Sequence, residues 1–134
     1  RVKRHCENAL AVAKYLEQND KVTYVNYCGL ENDKYHALAE KYLPNGSCGV
    51  VSFGVKGGRK AAEEFMKHLK LGSIETHVAD ARTCCLHPAS ATHRQMNDEE
   101  LTACGVYPDL VRYSCGLEDA EDLIADLEQA FAQI

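Results

Sequence analysis

A chain of 134 residues fits one domain and is too short for two. Its 46% apolar residues can fill a core, and its charges are of mixed sign, which excludes the composition of a disordered segment. A net charge of -5 with scattered Lys and Arg excludes the basic stripe that nucleic acid requires, and no apolar run approaches the roughly 18 residues that cross a bilayer.

No signal-peptide pattern opens the chain, so a soluble, cytoplasmic protein is expected. Seven cysteines at irregular spacing, with no C-x-x-C, read as free thiols in a reducing compartment. The chain opens on Arg1, and a helical pattern starts within a few residues, as expected of a fragment.

In chain order, Cys6, Ala9, Leu10, Ala13 and Leu16 recur at the helical period and predict a helix over 4–19. Val22–Tyr27 is β-branched and aromatic and predicts a strand. A helix is expected over 32–42, with Tyr35, Leu38, Ala39 and Tyr42 on its apolar side, and Pro44-Asn45-Gly46 is a turn. The apolar run Gly49–Val55 predicts a buried strand, and Gly57-Gly58 opens a helix through about Leu71.

Residues 72–94 are the least periodic, with one short strand expected at Thr83–Leu86. Asn97 followed by Glu100 is a capping-box pattern before a short helix closed by Gly105. Leu110–Cys115 predicts a strand. The last helix, about 119–133, has Glu118, Asp119, Glu121 and Asp122 at its start, suited to the helix dipole, and buries Leu123, Ile124, Leu127 and Phe131. The order α-β-α-β-α-β-α-β-α implies an α/β or α+β two-layer domain with about four strands and helices on one side.

Arg112 stands mid-strand on the face of Leu110 and Ser114. A buried guanidinium needs an anion, so it binds a carboxylate ligand, pairs with an acidic side chain of its own fold, or lies exposed on an edge strand. The run His87–Arg94, with Asp80, Arg82 and Thr83 before it, is either a pocket wall or a turn-rich loop held by its own hydrogen bonds. His77, Asp80, Cys84, His87 and His93 lack any familiar metal-ligand spacing. Ser90, Cys85, His87 and His93 lack a nucleophile-elbow context, and Val55–Arg59 lacks the order of a phosphate loop.

Four blocks carry a resemblance: Val25–Leu30, Gly49–Gly58, Leu86–His93 and Leu110–Asp119. In this order they are similar to the C-terminal third of the Cys/Met-metabolism family of pyridoxal-phosphate enzymes, over essentially the whole chain. Lys41–Gly46 and the Ser52–Gly58 wording resemble the sulfhydrylase branch. Methionine γ-lyase and the cystathionine γ-synthase and γ-lyase branches are similar, though they usually phrase these blocks differently, and they are the alternative enzyme reading. Cys28 stands where the family commonly has Pro, Ala91 replaces a frequent Thr or Met, and Cys115 replaces a frequent Val.

The resemblance implies the small C-terminal domain of an aspartate-aminotransferase-like, fold-type I enzyme, with about four mostly antiparallel strands and helices on one face. It implies that Arg112 binds the substrate α-carboxylate, that Thr83 lies beside that carboxylate, that Cys84 lines the pocket wall, and that His87-Pro88-Ala89 supports the wall without doing chemistry. The family's Schiff-base lysine lies in a Ser-x-Thr-Lys context that does not occur here. Pyridoxal 5'-phosphate is therefore expected on a missing N-terminal large domain, in a whole protein that tends toward homotetramers. The implied reaction turns O-acetyl-L-homoserine and sulfide into L-homocysteine and acetate, and the chain alone is expected to be inactive. A free-standing binding module is the non-enzyme alternative.

Overall fold

The computed structural model describes all 134 residues, Arg1–Ile134. Helix α1 (Val2–Glu17) carries a buried stripe of Ala9, Val12, Ala13 and Leu16, the 3.6-residue period made physical. Strand β1 (Val22–Asn26) leads through turns to α2 (His36–Tyr42) and then to β2 (Val50–Val55) and α3 (Gly58–Lys67). Two short strands, β3 (Ser73–Ile74) and β4 (Cys84–Leu86), precede a 3₁₀ turn at Pro88–Ser90. The chain then forms α4 (Asp98–Ala103), β5 (Leu110–Ser114) and α5 (Ala120–Phe131).

The strands form one sheet in the order β1-β2-β5-β4-β3, with every pairing antiparallel except β3 with β4. This is the expected α+β arrangement with five strands in place of about four. The fifth, β3, is two residues long and has no periodicity to read. It is held by Ser73 N–H donating to Thr83 O and Glu75 N–H donating to Cys85 O.

Strand alternation sorts the side chains onto two faces. Val51, Phe53, Val55, Cys85, Val111 and Tyr113 are all fully buried beneath α1, α3 and α5. Phe53, Phe65 and Phe131 knit the two layers, with the Phe65 and Phe131 rings stacked at 4.4 Å. The opposite face of the sheet carries no helix.

Two helices depart from expectation. The helix expected over 32–42 begins only at His36, because the Asp33 carboxylate accepts N–H bonds from Tyr27 and Tyr35 and holds the preceding residues in a turn. Its apolar side is not core: Tyr35, Leu38 and Tyr42 are exposed and only Ala39 is buried. Helix α3 stops at Lys67, short of Leu71. The buried Asp126 carboxylate of α5 captures the N–H groups of Lys70, Leu71 and Gly72 at 2.8–3.0 Å, which a continuing helix would have used itself. The capping box at Asn97 and Glu100 forms as read, with both reciprocal bonds present.

Candidate functional site

Register places the functional side chains. Asn26 faces Ser52, Ser52 faces Arg112, and Arg112 faces Leu86, so one row crosses four strands on the helix-free face. One step along, Ser114 stands opposite Cys84. The loop between β3 and β4 rises over this end of the sheet. Its Thr76 carbonyl accepts from Arg112 Nη2 at 2.7 Å, and its Ala79 N–H donates to Ser114 Oγ at 3.2 Å. Ala79 has φ +58, a backbone region that costs a non-glycine residue, and its N–H bond to the sheet helps to keep it there. Within the loop Asp80 accepts from Arg82 N–H, which holds its carboxyl below the ordinary value.

Arg112 is half-buried and makes no ion pair, although the chain has 20 acidic residues. One of its donors is taken by Thr76, and its Nε is buried without any partner. Of the three fates open to this guanidinium, an internal salt bridge is absent, and β5 lies between β2 and β4, so it is not an edge strand. What remains is a fixed cation, half-buried at the edge of the β3–β4 loop on the helix-free face.

Thr83 is held within the fold by a network of its own. It is fully buried, its hydroxyl donates to Glu118 Oε2 at 2.8 Å and accepts from Gly116 N–H at 2.8 Å, and its own N–H donates to Glu118 Oε1 at 2.7 Å. Its one O–H donor is thus taken and cannot be offered to a carboxylate. It locks the start of β4 to the exit of β5. Helix α1 secures the same exit, with Asn8 Nδ2 donating to the Gly116 and Glu118 carbonyls. Cys84 is buried opposite Ser114, and desolvation raises its thiol pKa, which makes it a poor nucleophile.

His87 is buried with both ring nitrogens engaged, Nδ1 with Ser90 Oγ at 2.8 Å and Nε2 with the Pro108 carbonyl at 2.7 Å. A carbonyl only accepts, so the proton sits on Nε2. The His87-Pro88-Ala89 turn is thus pinned to the loop that holds Pro108. The candidate metal ligands are dispersed: His77 pairs with Asp80 at 3.7 Å while His87 is sealed in the turn, and no group of three His, Cys, Asp or Glu side chains converges on one point.

The largest concavity, about 930 Å³, lies elsewhere on the helix-free face, toward β1. Arg112, Thr83 and Cys84 do not line it. Tyr24, Tyr107 and Asp109 do, with the two rings edge to face at 5.9 Å and the Tyr24 hydroxyl 3.4 Å from Asp109. Burial and the Asp109 charge both push the Tyr24 phenol pKa up. Sequence reading missed this cluster, because Tyr107-Pro108-Asp109 was legible only as a turn. The β1 alternation, which sets Tyr24 on the polar face with Asn26, is the signal that points to it.

A family model described as Cys/Met metabolism PLP-dependent enzyme matches residues 1–132. The chain belongs to this family. It is 48% identical over 130 residues to homocysteine synthase of Schizosaccharomyces pombe, covering 97% of this chain and 30% of that protein. It is 46% identical over 132 residues to O-acetyl-L-homoserine sulfhydrylase 1 of Thermus thermophilus, covering 98% and 31%. A crystal structure described as an O-acetylhomoserine (thiol)-lyase of Campylobacter jejuni, holding N'-pyridoxyl-lysine-5'-monophosphate, superposes with a TM-score of 0.91 at 36% identity over 98% of this chain and 31% of that one. The chain thus spans about 30% of the length of the relatives it matches.

The family is PLP-dependent, and the residues of this chain do not form a seat for that group. Such a seat needs a lysine amine for the aldehyde and N–H donors for the phosphate. Lys34 is the one lysine lining the large cleft, and its ammonium lies 4.9 Å from the Tyr35 ring centre. Asp33 and Asp109 line the same cleft and would repel a phosphate. What the helix-free face offers is one guanidinium suited to a carboxylate.

Proposed function

We propose that this chain is the substrate-carboxylate-binding domain of an O-acetyl-L-homoserine sulfhydrylase, which converts O-acetyl-L-homoserine and sulfide into L-homocysteine and acetate. In this reading the rest of the protein, an N-terminal large domain, holds the pyridoxal 5'-phosphate, and the whole protein is a homotetramer. The bond chemistry belongs to the cofactor, and the part assigned to this chain is to hold the substrate.

The observation that carries the reading is Arg112: a half-buried guanidinium with an unpartnered buried Nε, no acidic neighbour bonded to it, and an open face in front of it. Guanidinium and carboxylate match as a two-point fork, and the pair is strongest where water is excluded. The Thr76 carbonyl fixes the plane of the fork before substrate arrives, so little orientation is left to lose on binding. Clamping the carboxylate sets the direction of the substrate's Cα bonds, which is catalysis by positioning. Cys84 supplies a neutral wall, and Thr83 acts at one remove, by holding β4 against the turn after β5 through Glu118.

The test is Arg112→Ala in the full-length protein, with product analysis on O-acetyl-L-homoserine plus sulfide. kcat/KM should fall by on the order of 10²-fold or more, and a change under about threefold would remove the assignment. Arg112→Lys should also be impaired, since an ammonium cannot reproduce the fork. Methanethiol formed from L-methionine, with no homocysteine from the acetyl ester, would move the protein to the lyase branch.

A further inference from the structure

Cys28 and Cys48 meet at the edge of the large cleft, away from Arg112. Cys28 lies two residues past the end of β1, and Cys48 two residues before β2. These strands are hydrogen-bonded neighbours with Asn26 opposite Ser52, so the two segments leave the sheet side by side. Tyr27, next to Cys28, ties them further: its hydroxyl donates to the Cys48 carbonyl at 2.9 Å and stands 3.3 Å from the Cys6 carbonyl. Both cysteines line the cleft, neither is sealed in the core, and the Cys28 thiol lies near enough to help raise the Cys48 thiol pKa. Cys85 and Cys115, by contrast, are buried beneath the helices.

The segment between the two cysteines can follow a small sulfur movement. Its one helix, α2, buries a single residue, Ala39. A disulfide brings the two sulfurs to roughly 2.05 Å, which the ends of two neighbouring strands can accommodate.

We infer that Cys28 and Cys48 are a paired thiol modification site, which a peroxide oxidises to a reversible disulfide bridging the ends of β1 and β2. The Cys28 thiolate attacks the peroxide O–O bond and becomes a sulfenic acid, releasing hydroxide or alkoxide. The Cys48 sulfur then attacks the Cys28 sulfur, the S–S bond forms, the S–O bond breaks, and water leaves. The two thiols give up two electrons and the peroxide takes them. Cys48 is the less suited to the first step. Its thiol already donates to the Val50 carbonyl at 3.3 Å, and burial disfavours its free thiolate, which leaves the attack on peroxide to Cys28. A thiol–disulfide exchange reverses the bond.

The site is independent of the Arg112 assignment, and its test does not read activity. The full-length protein is treated with hydrogen peroxide, capped with iodoacetamide, digested without reduction and examined by mass spectrometry. The exposed Cys104 serves as the internal gauge that oxidant has acted. The expected result is one linked pair of peptides containing Cys28 and Cys48, lighter by two hydrogens and released by dithiothreitol, with Cys85 and Cys115 still free. Cys48→Ser should lose the link and leave Cys28 as a sulfenic acid that dimedone traps. Oxidation of Cys104 with Cys28 and Cys48 both still alkylated would overturn the inference. So would a Cys6–Cys28 link in place of the expected one.

Discussion

Arg112 and Tyr113 are neighbours on one strand, and they carry the two buried side-chain polar atoms that find no partner in this fold. Alternation sends them to opposite faces. Tyr113 points under the helices, fully buried against a core that includes Val111, Leu123 and Leu127, and the low-dielectric surroundings push its phenol pKa well up. Arg112 points to the face without helices and remains half-exposed. The same deficit means different things on the two sides. A ligand cannot reach the Tyr113 hydroxyl, so its cost belongs to folding alone. The Arg112 Nε is closed off as well, but the guanidinium that carries it reaches the helix-free face through its terminal nitrogens, where a carboxylate can meet the cation. Strand parity therefore separates stability from function residue by residue, and that separation can be broken by experiment.

The strongest attack is on the covered face. Phe53→Ala removes the ring that meets both Phe65 and Phe131, and the loss should be about 3–5 kcal/mol, read from the urea midpoint of the chain at constant slope. A loss below 1 kcal/mol, on the order expected of a surface change, would mean that the helices do not close over β2 as described.

Asp126→Ala comes next. Its carboxylate accepts three backbone N–H groups at the end of α3 and the Gln129 amide, and deletion leaves those donors in a partly buried loop. A loss of about 3 kcal/mol is expected, with Asp126→Asn losing less because one acceptor oxygen survives. Equal losses in the two variants would show that the charge and paired acceptors of the carboxylate, not its shape, hold this junction.

This junction also marks where sequence reading reaches its limit. Helices α1 and α5 and strands β1, β2 and β5 were legible because each repeats a period over several residues. The capping box was legible because Asn97 and Glu100 are local. The early end of α3 was not, since Asp126 acts on Lys70–Gly72 from more than fifty residues away. Tyr35, Leu38 and Tyr42 carried the right spacing for a core helix, yet spacing does not reveal that this side is left uncovered. At the site, Arg112 stood out as a charge in an apolar strand. The commitment of Thr83 to Glu118 depends on three-dimensional proximity that no local pattern records.

Glu118→Ala tests that commitment. It leaves the Thr83 N–H and hydroxyl buried without an acceptor, and about 2 kcal/mol should be lost. In the full-length protein the same variant should raise KM for the amino-acid substrate more than it lowers kcat, because β4 carries the wall beside Arg112. A fall in stability with KM unchanged would reduce Thr83 and Glu118 to scaffold alone.

The smallest stability change should come from the two residues that began the comparison. Tyr113→Phe deletes a hydroxyl with no partner, and Arg112→Met replaces a guanidinium whose Nε has none with an apolar side chain of similar length. Neither removes a satisfied side-chain network, apart from the single bond to Thr76, so both should shift unfolding by no more than about 1 kcal/mol in either direction. Their activities should then diverge. Tyr113→Phe should leave kcat/KM of the full-length protein nearly unchanged, while Arg112→Met should lower it on the order of 10²-fold, as for Arg112→Ala. Equal activities in this pair would dissolve the distinction between the faces. A large loss of stability in Arg112→Met would mean that the cation serves the fold, and that the helix-free face has no claim on a substrate carboxylate.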